Sequence, residues 1–252
     1  MTTAVTPTPS RRLSPGTALL LLAGVALPFL LVALWPNTYH KGDLMAYARW
    51  ADCLEAFGPA TYQECLAYRP ESPLGYPAVG LWLSGGVVQG LRLLSENLFG
   101  RPLGAPATDA LVRFYLATFA ALDFLLLAWL ARLMRYGRPV LAALLLTLLP
   151  WMVVGGVLWG QLDGISLAGA LLAFIALWQA WRAAGQRRAA PAGLWLLLAG
   201  LTLACFTLIK PLNTFALPFF LFLLALVVWS CGRELGGRGL AVALAALLLA
   251  LA

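Results

Sequence analysis

Chemically capable residues are sparse in this chain, and most of them interrupt apolar runs. The first group is His40-Lys41-Gly42-Asp43, after which Leu44, Tyr47, Trp50 and Leu54 recur at helical spacing until Gly58-Pro59 stops the pattern. A carboxylate at the start of such a helix is held ionised by the helix dipole and by free backbone N–H groups. Asp43 is therefore open to two readings, a plain N-cap or a carboxylate base at the mouth of a membrane cavity. Trp159-Gly160-Gln161-Leu162-Asp163-Gly164 sets an amide and a carboxylate between two apolar stretches. Polar groups at membrane depth are costly and default to binding roles; the alternative is a turn in which Asp163 caps the next helix. Lys210-Pro211 separates two further apolar runs, with no acidic residue nearby in sequence. An anionic ligand would supply the counter-charge, and a lysine that snorkels to the interface is the competing reading. Asp123 stands inside an apolar run, with Arg113 or a helix hydrogen bond as alternative partners.

The elements that must position these groups are membrane helices. Hydrophobic residues make up 62% of the 252 and charged residues only 11%, where a soluble domain carries about 25% charged. The runs 20–35, 110–130, 140–158, 165–181, 194–209, 215–229 and 240–252 are strongly apolar, and most approach the roughly 20 residues that cross a bilayer. The run 76–94 is weaker and carries Gly80, Gly85, Gly86 and Gly90. No A-x-A-like site follows the first run, so it reads as a retained helix rather than a cleaved signal. The expected fold is an all-α integral membrane bundle of about seven to eight segments, with an amphipathic helix lying along the membrane surface in the first noncytoplasmic loop. Residues 1–16 form a cytoplasmic tail and 17–252 one transmembrane module, expected to be incomplete at its C-terminus.

Arginines order the loops. Arg11-Arg12, Arg132/Arg135/Arg138, Arg182/Arg187/Arg188 and Arg233/Arg238 form short clusters between runs, which the positive-inside rule assigns to the cytoplasm. Lys and Arg outnumber Asp and Glu by 17 to 10, but in topological clusters rather than along one basic stripe, which argues against nucleic-acid binding. Loop 36–75, the 159–164 turn and the Lys210-Pro211 junction then face the opposite side. Parity requires that 76–94 be re-entrant or that the Arg132 cluster lie outside; re-entry is the preferred solution, since irregular backbone is tolerated beside a protein cavity. Cys53 and Cys65 share the polar loop and either form a disulfide in an oxidising compartment or remain free thiols. Cys205 and Cys231 read as packing residues. No His, Cys or carboxylate cluster has metal-ligand spacing.

The ordered motifs resemble the GT-C superfamily of membrane glycosyltransferases, in the branch that holds the GPI mannosyltransferases and the dolichyl-phosphate-glucose-dependent glucosyltransferases. The resemblance is carried by Gly42-Asp43 with Ala46, Arg49 and Trp50, by Gly75-Tyr76-Pro77, by Asp123, by Trp159-Gly160-Gln161-Leu162-Asp163, and by Lys210-Pro211 with Ala216-Leu217-Pro218. Ala78 stands where a second proline often follows the Tyr-Pro pair, and relatives usually continue through several more helices. The resemblance implies an inverting transfer of a hexose, mannose or glucose in type, from a polyprenyl-phosphate donor to a hydroxyl of a glycan or glycolipid acceptor. Asp43 would be the catalytic base. Lys41, Arg49 and Trp50 with Tyr76, and Trp159, Gln161 and Asp163 with Lys210, would contact the substrates. Phosphate is already a competent leaving group, so no cofactor or metal is required. The implied setting is a bacterial plasma membrane, with the site on the noncytoplasmic side, the bilayer as partner and no nucleic acid. The residues alone leave two other classes open: a transporter, against which the lack of an internal repeat counts, and a noncatalytic membrane subunit.

Overall fold

Leucines and aromatics point outward from most helices of this chain as well as inward: Leu19, Leu22, Leu34, Phe219, Phe222 and Trp229 are all exposed. Such a surface suits lipid rather than water. The computed structural model describes residues 13–36, 41–58, 78–101, 104–150, 152–158, 162–209 and 215–251. Among the described residues there is helix and no strand. The elements are α1 (Pro15–Leu34), α2 (Lys41–Phe57), α3 (Ala78–Phe99), α4 (Ala105–Leu133), α5 (Pro139–Thr147), a π-helical segment (Met152–Leu158), α6 (Asp163–Gly185), α7 (Ala189–Ile209) and α8 (Leu217–Leu251). Among the described residues, five helices are long and apolar enough to cross a membrane: α1, α6, α7, and the stretches Pro106–Leu133 of α4 and Leu217–Gly239 of α8.

Local signals explain several boundaries. Ser14 accepts a hydrogen bond from the Thr17 backbone N–H at 3.2 Å and Pro15 opens α1, the side-chain cap and fixed φ that start a helix cheaply. Gly58, at φ 82°, closes α2, and its N–H bonds the Leu54 carbonyl at 2.9 Å, an end that suits glycine's freedom at positive φ.

Two apolar runs, 140–158 and 76–94, fold differently from expectation. The run 140–158 is not one regular helix: nine residues of α5 are followed by a turn and a seven-residue π-helical segment. Pro150, which lacks an N–H and crowds the preceding turn, stands at the break. The runs 215–229 and 240–252 are two helical stretches of α8 parted at Gly236, whose φ of 67° and ψ of −159° are not helical. The run 76–94 is helical without interruption from Ala78 to Phe99, so its glycines do not break it.

Small residues let the helices approach where lipid supplies no hydrophobic drive. A Cβ on Gly24 of α1 would overlap the ring of Phe124, a fully buried side chain of α4. At Gly85 of α3 a Cβ would lie 2.8 Å from Trp50 Cβ on α2, and the Arg92–Asp52 ion pair at 2.6 Å ties the same two helices. Ala173, Ala176 and Ala180 of α6 face Ala192, Leu196 and Ala199 of α7 in the largest core cluster. Gly24 opposite Phe124, with Trp35 opposite Arg113, makes α1 and α4 antiparallel. Leu126 beside Ala168 and Leu171 makes α4 run with α6. One end of the bundle therefore collects the end of α1 and the starts of α4 and α6, and the other collects Arg132 and Arg182.

Candidate functional site

The apolar stripe of α2 decides what the first motif touches. Leu44, Tyr47, Trp50 and Leu54 are all buried, as their spacing predicts, but they pack on protein: Val88 of α3, Val112 and Leu116 of α4, Leu162 and Ile165 beside α6, and Ile209 of α7. Three members of this cluster adjoin the motifs directly. Leu44 follows Asp43, Leu162 stands between Gln161 and Asp163, and Ile209 precedes Lys210. Neighbouring Cα atoms are about 3.8 Å apart, so segments remote in sequence converge at one end of the bundle.

The individual residues separate into groups. Lys41 and Asp43 lie in the first turn of α2 by their backbone. Arg49 is half-buried on the same helix. Trp50 is 3% exposed, its ring centroid 5.6 Å from that of Tyr47 and its main chain against Gly85; it offers almost no surface to a substrate and joins α2 to α3. Asp163 is half-buried at the first position of α6, where unpaired N–H groups and the positive end of the dipole favour a carboxylate. Tyr76, Trp159, Gln161 and Lys210 lie outside the described residues, as does Cys65. Cys53 is disulfide-bonded and Cys205 and Cys231 are free thiols, so the free-thiol reading of Cys53 does not hold.

Arg113 settles one alternative and adds a residue that the motifs did not single out. It is 2% exposed, and its Nη1 and Nη2 donate to the carbonyls of Pro36 at 2.5 Å and Trp35 at 2.9 Å. The guanidinium thus satisfies carbonyls that the end of α1 leaves without intrahelical partners and is not the partner of Asp123, which lies ten residues, about 15 Å, further along α4. Asp123 is 1% exposed with neither carboxyl oxygen hydrogen-bonded. It borders the last motif, since a Cβ on Gly164 would lie 3.5 Å from its Oδ2. A cavity of about 310 Å³ opens between α1 and α4, with Asp109 and Arg113 in a wall otherwise formed by Pro36, Pro106 and Phe114 among others. The four-residue step from Asp109 to Arg113 places both charges on one helix face, which is the sequence signal for this wall.

The arrangement provides a carboxylate-bearing helix start, a second helix start with Asp163, and a buried guanidinium beside a cavity, all at one end of the bundle. Among the described residues no group of three or more His, Cys, Asp or Glu side chains is gathered to hold a metal ion. Compared with protein-family models, curated proteins and solved structures, the chain matches none.

Proposed function

We propose that the chain is an inverting membrane hexosyltransferase of GT-C type that uses a polyprenyl-phosphate sugar. The observation that carries this reading is the meeting of Leu44, Leu162 and Ile209 in one buried cluster, because each adjoins a motif quoted for the resemblance. In the proposed reaction Asp43 takes the proton of an acceptor hydroxyl. The hydroxyl oxygen forms a bond to the anomeric carbon, the bond from that carbon to the phosphate oxygen breaks, and polyprenyl phosphate leaves with the electron pair. A cation, Lys210 or Arg49, offsets the charge that develops on the departing phosphate. Lys41, Tyr76, Trp159, Gln161 and Asp163 complete the proposed substrate contacts. Trp50 takes part by fixing α2.

Orientation belongs to the same proposal. Arg132, Arg182, Arg187 and Arg188 occupy the end of the bundle opposite the motifs, which favours a cytoplasmic arginine end and a noncytoplasmic site. The Cys53 disulfide supports an oxidising setting for that face. A membrane-surface position for α2 remains part of this reading, with its apolar stripe turned onto the protein and its polar side outward.

The partnerless carboxyl of Asp123 favours a second reading, a proton or cation path, because intramembrane carboxylates mark such routes. The test is to incubate detergent-purified chain with radiolabelled polyprenyl-phosphate mannose or glucose and glycolipid acceptors. Sugar transfer is the expected result. Ion or sugar flux in proteoliposomes without transfer would establish the transporter, and neither activity would leave a noncatalytic subunit.

A further inference from the structure

A second cavity lies far from the motifs, between the last turns of α6 and the middle of α8. It has a volume of about 360 Å³ and a nearly continuous apolar wall that includes Phe174, Trp178, Trp181 and Trp229, with Arg233 at its rim. Trp178 and Trp181 are 22–27 Å along α6 from Asp163, taking about 1.5 Å per residue, which sets them at the arginine end of the span. Tryptophans at that depth form the belt that meets lipid headgroups.

Two polar groups belong to this otherwise apolar wall. The Nε1–H of Trp178 is buried and has no hydrogen-bond partner, and a buried donor left without an acceptor is destabilising. Arg233 lies 5.4 Å from the Trp229 ring centroid, within cation–π range. Its Nε and Nη2 both donate to Glu234 Oε1, at 3.0 and 2.6 Å, which leaves Nη1 outside that pair. Its side chain is 61% exposed, so the guanidinium can meet a headgroup without moving the helix. An acyl chain fits the wall, a phosphate oxygen supplies the acceptor that Trp178 lacks, and a net negative headgroup complements Arg233 and the nearby Arg182.

We infer that this groove is a binding site for one anionic glycerophospholipid, held with its acyl chain against the three tryptophans and its phosphate between Trp178 Nε1 and Arg233. The site is independent of the proposed transfer reaction. One basic side chain near the headgroup plane favours anionic over zwitterionic lipid about five-fold.

Native mass spectrometry of the detergent-purified chain, mixed with equal phosphatidylglycerol and phosphatidylcholine of identical acyl chains, reads this directly. The expected result is one retained lipid with about five-fold preference for phosphatidylglycerol. Arg233→Gln should bring the ratio near one, Arg233→Lys should keep most of it, and Trp178→Phe should lower retention of both lipids alike, since both carry the phosphate. Arg187→Gln, at the α6–α7 turn outside the groove, should leave the ratio unchanged. Equal retention in the wild type, an unchanged ratio in Arg233→Gln, unchanged retention in Trp178→Phe, or an equal loss in Arg187→Gln would each overturn the inference. The last of these would mean diffuse charge attraction in place of a site.

Discussion

Replacing Gly85 with alanine tests whether the close approach of α3 to α2 holds the start of α2 in place. A Cβ at residue 85 would lie 2.8 Å from Trp50 Cβ, 2.9 Å from the Trp50 carbonyl carbon and 3.1 Å from the Ala51 nitrogen. These are main-chain atoms and a first side-chain carbon, so no rotamer change moves them aside. The helices must part by about 0.6 Å, from 2.8 Å to the 3.4 Å at which ordinary contact begins. Overpacking costs about 1–3 kcal/mol, and the greater helix propensity of alanine returns about 1 kcal/mol. Rigid atoms on the far side put the cost at the upper end, for a net loss of about 2 kcal/mol. For a chain of this length that corresponds to about 4–8 °C in Tm. Gly86 is the internal control: nothing lies within 4 Å of its Cβ position, so Gly86→Ala adds propensity alone and should melt at or slightly above the wild type. Thermal unfolding in detergent, followed by tryptophan fluorescence, compares all three proteins. Gly85→Ala melting with the wild type, or Gly86→Ala falling as far, would refute the packing argument.

Dithiothreitol should lower Tm by an amount equivalent to about 2–4 kcal/mol, the usual contribution of a disulfide, and should have no effect on Cys53→Ser; an unchanged wild-type melt would show that the Cys53 bond adds nothing. After reduction, Cys53 should react with an impermeant thiol reagent from the noncytoplasmic side of sealed vesicles, and labelling from the cytoplasmic side alone would invert the proposed topology. Gly24→Ala should cost about 1–3 kcal/mol, because its new methyl meets the fully buried Phe124 ring; a melt equal to the wild type would remove that contact from the account. Lys210→Ala should raise the donor KM with little change in Tm, whereas an unchanged KM with a lower Tm would make the lysine structural.

Periodicity made α2 legible, since Leu44, Tyr47, Trp50 and Leu54 step along one helical face and Gly58 offers the positive φ that ends it. It did not show which solvent that face meets. A stripe laid on lipid and a stripe packed on protein have the same spacing, and here the stripe meets Val112, Leu162 and Ile209. Hydropathy located most spans for the same reason that it missed the break after α5: it sums apolar character and is nearly blind to the proline that stands at that break. It separated 215–229 from 240–252 at the polar stretch around Arg233, close to Gly236, where the backbone leaves the helix. Gly85 carried a signal only as a glycine in a weak run; its role depends on Trp50, 35 residues earlier. Arg113 was visible as a cation in an apolar helix, but its carbonyl partners at the end of α1 are contacts that no spacing rule supplies.

The central claim is that Asp43 removes a proton during sugar transfer, and the turnover of Asp43→Asn tests it most directly. Asparagine preserves the shape but accepts no proton at neutral pH, and general-base catalysis contributes about 10²- to 10⁴-fold. Transfer from a radiolabelled polyprenyl-phosphate hexose should fall by that factor while Tm and donor binding stay at wild-type values. Asp43 lies inside the first turn of α2, which begins at Lys41, so a purely structural role predicts at most the loss of its interaction with the helix dipole, about 0.3–1 kcal/mol. An Asp43→Asn protein that turns over at a near-normal rate would contradict the account and leave Asp43 as the first-turn residue of α2 and nothing more.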